Sequence, residues 1–329
     1  MTAFIHGTEG LSLHTLSQLR ANIEKRGQDR SYGVEKKLVI VIFLLPAALL
    51  FFTFVIFPIF QAAFISTFKW NGLEPLDNFI GLENFITMFN HEPFRMALKH
   101  NGIIIILSVL VQLPIALMLA LVVGRKLPGR PFFRAVFFLP YVISETITAV
   151  LWSFIFNPRF PTSDIINSVL DSVFPFFEPG PWLGDPSKVL TAIFVVLTWK
   201  YFGLHMVLYI AGLQDIPDEV EEAASIDGAS NFQILRYVTI PMLSRTIITT
   251  IYLSVLGSLQ QFDLIWLMTE GGPVNASEVL TTYMYRHGFV SFRLGYGSSV
   301  AVVLFVLCLV FSIIYQRLFM KKEYSGRVG

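Results

Sequence analysis

The sequence VEEAASIDG, which runs from Val220 to Gly228, is a polar and acidic stretch between long apolar segments. Of the 329 residues in the chain, 54% are hydrophobic and only 14% are charged. One water-soluble core cannot bury so much apolar surface, so the chain is predicted to be a membrane protein. Its net charge of +1 gives no indication of nucleic-acid binding. The acidic stretch is therefore expected to form a loop at one face of the membrane.

Six apolar segments have the length that a helix needs to cross a membrane. The hydrocarbon core of a bilayer is about 30 Å thick and takes about 20 helical residues. The predicted spans are Leu38–Phe60, Gly102–Val123, Ala135–Phe156, Val189–Leu213, Ile247–Met268 and Ser298–Phe319. The apolar character of the first continues to Phe68, which allows a longer, tilted helix. The sequence thus predicts an all-α polytopic membrane protein with about six transmembrane helices.

Lys and Arg residues are distributed unevenly between the two sides that these spans define. Sixteen lie in the two tails and in the second and fourth loops, and seven lie on the other side. Because the cytoplasmic side carries the excess of Lys and Arg, both termini are predicted to be cytoplasmic. The acidic stretch is then cytoplasmic as well.

Helix-start and helix-stop residues flank the acidic stretch. Asp215 is placed to cap a helix, and Gly228 is placed to end it. Ser230 and Gln233 have capping-box spacing for a second short helix, which is expected to end before Pro241. These signals predict a compact helix-turn-helix.

The first of these two helices carries a possible docking surface. Ala223 and Ala224 form a smooth patch that another backbone can approach closely, and Glu221 and Glu222 flank it with charge. Such a surface suits a helix-in-groove contact with a partner protein. The alternative is a solvated amphipathic loop without a partner, and these residues alone leave both interpretations open.

The spacing from Glu222-Ala223-Ala224 through Asp227-Gly228 to Ile240-Pro241 resembles the EAA signature of the membrane subunits of ATP-binding-cassette (ABC) importers. Val238 and Ile240 stand where Ile and Leu are usual. Three further stretches are similar to the carbohydrate-importer branch, which includes the maltose permeases: Phe79–Phe85, Phe138–Tyr141 and Phe262–Pro273. The likeness runs from about Leu38 to the end of the sixth span.

The resemblance implies a type I ABC importer permease fold with a defined order of segments. These are a cytoplasmic tail (1–37), a first transmembrane helix (38–68), an external segment (69–101), a permease core (102–320) with the coupling loop (215–241), and a cytoplasmic tail (321–329). The loop is expected to seat in a cleft of an ATPase subunit. The residues expected to couple to that subunit are Glu221, Glu222, Ala223, Ala224, Asp227, Gly228 and Pro241.

The resemblance also implies partners. They are a second homologous permease subunit, a dimer of cytoplasmic ATP-binding subunits, an extracytoplasmic substrate-binding protein, a carbohydrate and the lipid of a bacterial inner membrane. The chain has no GxxxxGK[ST] phosphate loop. ATP and Mg are therefore expected on the partner ATPase, and this chain is expected to have no cofactor, metal site or catalytic residue of its own.

Polar side chains inside the predicted spans form a candidate substrate site. An ionisable group at a helix centre costs about 2.5–3.5 kcal/mol on insertion scales, so each one invites a functional interpretation. Ser254, Ser258 and Gln261 share one helix face through spacings of four and three. The predicted substrate-binding residues are Tyr141, Glu145, Lys200, Ser254, Ser258 and Gln261.

The resemblance to the maltose permease is uneven at this site. Tyr141 and the serines at 254 and 258 match positions that are polar or contact substrate in that protein. Leu197, Tyr201 and Leu204 depart from its sugar-contacting set, which argues for a substrate other than maltose.

Lys200 has two interpretations, because a lysine inside a membrane needs a counter-charge. It either pairs with Glu145 or snorkels, or it recognises an acidic sugar such as a uronate or alginate-type oligosaccharide. His205 is expected to be packed and hydrogen-bonded, and Asp263 is expected to have a structural role near the external loop.

An ion- or proton-driven secondary transporter is the alternative function, because it would also place Glu, Lys, His and Asp inside the membrane. Such a carrier has no need of a capped helix-turn-helix with EAA spacing. A membrane enzyme would need clustered catalytic groups, whereas the histidines of this chain are scattered.

Overall fold

The computed structural model describes residues 39–124, 129–173 and 179–320. The two predicted cytoplasmic tails lie outside these ranges. The helices are α1 (Val39–Ile65), α2 (Glu83–Asn90), α3 (Glu92–Gly124), α4 (Arg130–Val142), α5 (Glu145–Ile155), α6 (Pro161–Val173), α7 (Val189–Gln214), α8 (Asp218–Ile226), α9 (Asn231–Met242), α10 (Ser244–Gln260), α11 (Asp263–Thr269), α12 (Leu280–Tyr285) and α13 (Leu294–Phe319). Every named element in the described ranges is a helix, and one isolated bridge pairs Phe68 with Phe79. The all-α prediction is confirmed.

Four unbroken helices are long and apolar enough to cross a membrane: α1, α3, α7 and α13. Two bent pairs also qualify if each is counted as one span, namely α4 with α5 and α9 with α10. The total of up to six agrees with the predicted number. The fourth span matches its predicted bounds almost fully, whereas α3 begins at Glu92, ten residues before the predicted start, because Pro93 opens its first turn.

The chain divides into two units, residues 1–61 and 62–329. The described part of the first unit is the beginning of α1, whose large apolar side chains are exposed, as a lipid-facing helix requires. In the second unit, α7 is central. Its first half packs against α5 and α11, and its second half packs against α3.

The third predicted span, Ala135–Phe156, is not one continuous helix. The chain breaks between α4 and α5, which meet at 94°. Ser144 caps α5, and its Oγ accepts a hydrogen bond of 3.2 Å from the Ile147 N–H. The Lys200 ammonium donates to the Ile143 carbonyl oxygen at the other side of the break, at 2.6 Å. Protein groups thus satisfy the backbone where the helix is interrupted at membrane depth.

The fifth span, predicted as Ile247–Met268, is also interrupted. Helix α10 ends at Gln260, Gln261 is extended (φ −62°, ψ 123°), and α11 begins at Asp263. On its other side α10 meets α9 at 64°. Both interruptions lie beside the middle of α7, and this position decides where a cavity forms.

Helices α4 and α7 cross closely at Gly203. A Cβ atom at this position would overlap the Phe137 carbonyl oxygen and would lie 3.1 Å from the Phe138 Cα. Glycine is therefore required by the approach of another backbone rather than by its own conformation.

Gly203→Ala is expected to lower the thermal stability of the purified protein, because overpacking typically costs about 1–3 kcal/mol. A melting curve in detergent measures this effect. Gly102→Ala is the matched control, since a Cβ there has no neighbour within 4 Å. Equal melting temperatures for the two variants would contradict the proposed role of this crossing.

Candidate functional site

A cavity of about 350 Å³ lies halfway along the transmembrane helices. Its walls come from the middle of α3 and α7, from the break between α4 and α5, and from the region where α10 gives way to α11. Its lining residues are Ser108, Gln112, Tyr141, Glu145, Leu197, Tyr201, Leu204, His205, Leu253, Ser254, Gly257, Ser258, Gln260, Gln261, Phe262 and Asp263. Broken helices at the centre of a bundle are where transporters commonly place their substrate sites, because helix ends expose polar groups there.

Glu145 is the hub of the hydrogen bonds in the cavity. Its Oε1 accepts a short hydrogen bond from the Tyr201 hydroxyl, and its Oε2 accepts one of 3.5 Å from Gln261 Nε2. Across the cavity, the Ser258 hydroxyl donates to Ser108 Oγ at 3.4 Å. The α5 N-terminus, where Glu145 occupies the first turn, also favours a carboxyl group at this place.

Two buried polar atoms that belong to cavity-lining residues are left unsatisfied. Within the described part of the chain, neither Ser254 Oγ nor His205 Nδ1 has a hydrogen-bond partner. Buried polar groups normally have partners, so these two atoms are exceptions in the wall of the cavity. The expectation that His205 would be hydrogen-bonded is not met at Nδ1.

Five of the six predicted substrate-binding residues line this one cavity: Tyr141, Glu145, Ser254, Ser258 and Gln261. Lys200 is not among the lining residues. Whether the five contact substrate stays a prediction. Sequence reasoning did not assign His205 and Asp263 to this site, although His205 follows Tyr201 by four residues on the same face of α7.

Lys200 is 3% exposed, and its ammonium lies at the break in the third span. Its ammonium donates to the carbonyl oxygens of Ile143 at 2.6 Å and Pro140 at 3.5 Å. A cation is favourable at a helix C-terminus, where α4 ends. Among the described residues, no ion pair within 4 Å joins Lys200 to Glu145, so the predicted structural pair is not present in this form.

The polar loop, residues 215–241, forms the compact helix-turn-helix that its signals predict. Gly228 follows α8 with φ +86°, a conformation that glycine adopts without strain. The capping box is confirmed: the Ser230 N–H donates to Gln233 Oε1 at 2.7 Å, and the Gln233 N–H donates to Ser230 Oγ at 3.4 Å.

Two details of the loop prediction are wrong. Asp215 does not cap α8; it follows the last residue of α7, and α8 begins only at Asp218. Pro241 does not follow the second helix but lies within α9, which continues to Met242. A π-helical turn precedes this proline, and the Ile240 N–H donates to the Leu235 carbonyl five residues back. The wider turn lets the helix continue although Pro241 has no N–H to donate.

The acidic residues of the loop have different surroundings. Glu221 is half-buried, and its Oε1 accepts a hydrogen bond of 2.7 Å from Thr239, which braces α8 against α9. Glu222 and Ala223 are exposed, and Ala224 is half-buried. Ile226, which sequence reasoning did not single out, is 86% exposed at the tip of α8. Glu222 and Ile226 are thus accessible at the surface of α8.

These features are typical of a transport permease: a polyhelical membrane protein with a polar compartment halfway along its spans and a folded polar loop between two of them. The sequence matches the family described as the binding-protein-dependent transport system inner membrane component over residues 112–322, more than half of the chain. The chain belongs to this family. It is accordingly a permease subunit of an ABC importer and not an enzyme.

Individual relatives agree with this assignment. The chain is 36% identical to the probable ABC transporter permease protein YurN of Bacillus subtilis (strain 168), over 87% of this chain and 97% of YurN. It is 30% identical to the multiple sugar-binding transport system permease protein MsmF of Streptococcus mutans, over 85% of this chain and 95% of MsmF.

A solved structure has the same fold. It is the crystal structure of a bacterial ABC transporter involved in the import of the acidic polysaccharide alginate. One of its chains superposes with a TM-score of 0.73 over 88% of this chain and 99% of that chain, at 24% identity. The predicted type I importer permease fold is confirmed by this similarity.

Proposed function

We propose that this chain is the pore-forming subunit of an ATP-driven importer of a carbohydrate. The observation that carries the proposal is the cavity between the broken spans, which is lined by polar residues that include Ser254 and His205. Hydroxyl and imidazole groups match the hydroxyls of a sugar, and the rings of Tyr141 and Tyr201 offer flat apolar surface beside them. The name of the relative MsmF, which specifies sugars, supports the same class of substrate.

We propose that the polar loop binds a cytoplasmic ATPase subunit. The exposed Glu222 can pair with a basic group at the rim of a cleft, while Ile226 enters it. ATP and Mg would then be bound by the partner, with two ATPase subunits serving this chain and a second homologous permease. A substrate-binding protein would deliver the sugar at the face opposite the loop. Both termini would be cytoplasmic.

The charged groups at the cavity bear on whether the transported sugar is acidic or neutral. A uronate oligosaccharide, the second candidate, needs a cation that faces it, and Lys200 is the nearby cation. Its ammonium is already held by two carbonyl oxygens, whereas Glu145 and Asp263 line the cavity. A neutral oligosaccharide fits these carboxyl groups better, since like charges repel at short range in a low dielectric. We therefore propose a neutral oligosaccharide.

Uptake by the assembled importer tests this proposal. The tagged chain is purified from its native membrane with its partners, reconstituted in liposomes containing ATP, and supplied with maltotriose or with a trisaccharide of guluronate. Uptake of maltotriose without uptake of the uronate is the expected result. The reverse preference would overturn the neutral-sugar proposal, and uptake driven by a proton gradient without ATP would favour a secondary transporter.

A further inference from the structure

The segment that connects α11 to α12, residues 270–279, is a folded loop on the face opposite the polar loop. The Thr269 and Ser277 hydroxyls lie 2.8 Å apart, and the Ser277 hydroxyl donates to the Gly272 carbonyl at 2.6 Å. At its end, the fully buried Glu278 forms an ion pair of 3.2 Å with Arg286. Burial raises the pKa of this carboxyl, while its contacts with Thr282 and Arg286 act in the opposite direction. The loop and the start of α12 are thus tied together as one piece.

Thr281 connects this piece to the cavity. Its hydroxyl donates to the Gln261 carbonyl oxygen at 2.5 Å, at the extended residue that separates α10 from α11. The side chain of the same Gln261 donates to Glu145, which in turn holds the Tyr201 hydroxyl. Hydrogen bonds and the covalent frame of Gln261 therefore connect Thr281, at the start of α12, to the hub of the cavity.

Asn101 forms a second connection. It lies on α3 and is 1% exposed. Its Nδ2 donates to the Ser258 carbonyl at 2.9 Å, and its Oδ1 accepts from the Leu280 N–H at 2.9 Å. One amide thus joins the first residue of α12 to a residue whose side chain lines the cavity.

We propose that Thr281 and Asn101 are positioning residues that set the geometry of Gln261 and Ser258 according to the position of the loop formed by residues 270–279. A partner that contacts residues 270–279 would then alter the sugar site without touching it. This inference rests on the proposed function of the cavity. Its physical basis is that the two connections are buried and bonded at both ends, so a shift of α12 cannot leave the break in the fifth span unchanged.

Two adjacent threonines provide a matched test. Thr281→Val removes the bond to Gln261, whereas Thr282→Val removes the bonds to Val279 and the contact with Glu278 and leaves the bond to Gln261 in place. Both residues are buried and the substitution is the same. Thr281→Ser retains the hydroxyl and is the rescue variant. All three are prepared in the assembled importer.

Amide hydrogen exchange of residues 258–266 is the first measurement and needs no sugar. Loss of one buried hydrogen bond is expected to speed exchange there about fivefold in Thr281→Val, with wild-type rates in Thr281→Ser and Thr282→Val. The second measurement is the KM for maltotriose uptake, expected to rise about fivefold in Thr281→Val at unchanged turnover.

Equal exchange in the two valine variants, or failure of Thr281→Ser to restore it, would overturn the positioning role. If the wild-type importer takes up the guluronate trisaccharide but no maltotriose, the neutral-sugar proposal fails instead, and the exchange rates still decide the role of Thr281. A fall in turnover with an unchanged KM would also contradict the inference.

Discussion

Gly228→Pro is expected to abolish ATP-driven uptake while the chain still inserts into the membrane. Proline fixes φ near −65°, whereas Gly228 has φ +86°, and its N–H donates to the Ser225 carbonyl at 3.1 Å. The substitution therefore destroys the turn that holds α8 against α9. Uptake into proteoliposomes is expected to fall to roughly a tenth of wild type or less, since docking needs a preformed surface.

Two control variants separate the shape of the loop from its surface. Gly228→Asn is expected to retain most uptake, because asparagine tolerates the left-handed conformation. Glu222→Lys keeps the turn but reverses a charge on the exposed face, and it is expected to release the ATPase from the purified complex. Wild-type uptake by Gly228→Pro, measured with equal amounts of protein in the membrane, would refute the proposed docking role.

Glu145→Ala is expected to weaken sugar binding strongly. Hydrogen bonds to charged groups are worth about 1.5–3 kcal/mol, which corresponds to a roughly 10- to 150-fold rise in the KM for uptake. The variant also leaves the Tyr201 hydroxyl and the Gln261 amide without their acceptor. Concentration dependence of maltotriose uptake in proteoliposomes measures the change.

Glu92→Ala is the matched control for this variant. Glu92 and Glu145 each occupy the first turn of a helix and interact with its dipole, but Glu92 is exposed and does not line the cavity. The control is expected to have a wild-type KM. A similar KM in both variants would show that Glu145 acts only through helix stability and would remove it from the sugar site.

The number of spans was predictable from the sequence, but the two breaks were not. Composition and length identify an apolar helix, and the polar run Ser144-Glu145-Thr146 at the bend is too short to divide residues 135–156 by these criteria. The break is maintained by Lys200, which lies 57 residues after Ile143 in the sequence and donates to its carbonyl. Ser144 was the local signal, since its hydroxyl caps α5. A contact between distant residues cannot be predicted from periodicity.

The difference between local spacing and contacts of distant residues also explains which cavity residues could be predicted from the sequence. Ser254, Ser258 and Gln261 could be grouped correctly because helical spacing places them on one face. Lys200 could not be placed, because its nearest carbonyl oxygens belong to another helix whose end the sequence did not reveal. In the polar loop, local capping predicted the turn and the second helix. Asp215 was misjudged because α7 continues through Gln214.

The 64° bend between α9 and α10 gives this pair of helices the shape of a bent lever. Leu243 at the bend is 1% exposed and packs with α3 and α7. This packing fixes the bend in place, so it is the expected pivot of the pair. The arm formed by α9 ends in the polar loop, and the arm formed by α10 ends at Gln260 beside the cavity. The second arm has 17 residues, about 26 Å of lever at 1.5 Å per residue. We therefore expect a sideways displacement of the polar loop to move the cavity wall that α10 forms, without translation of a span along the bilayer normal.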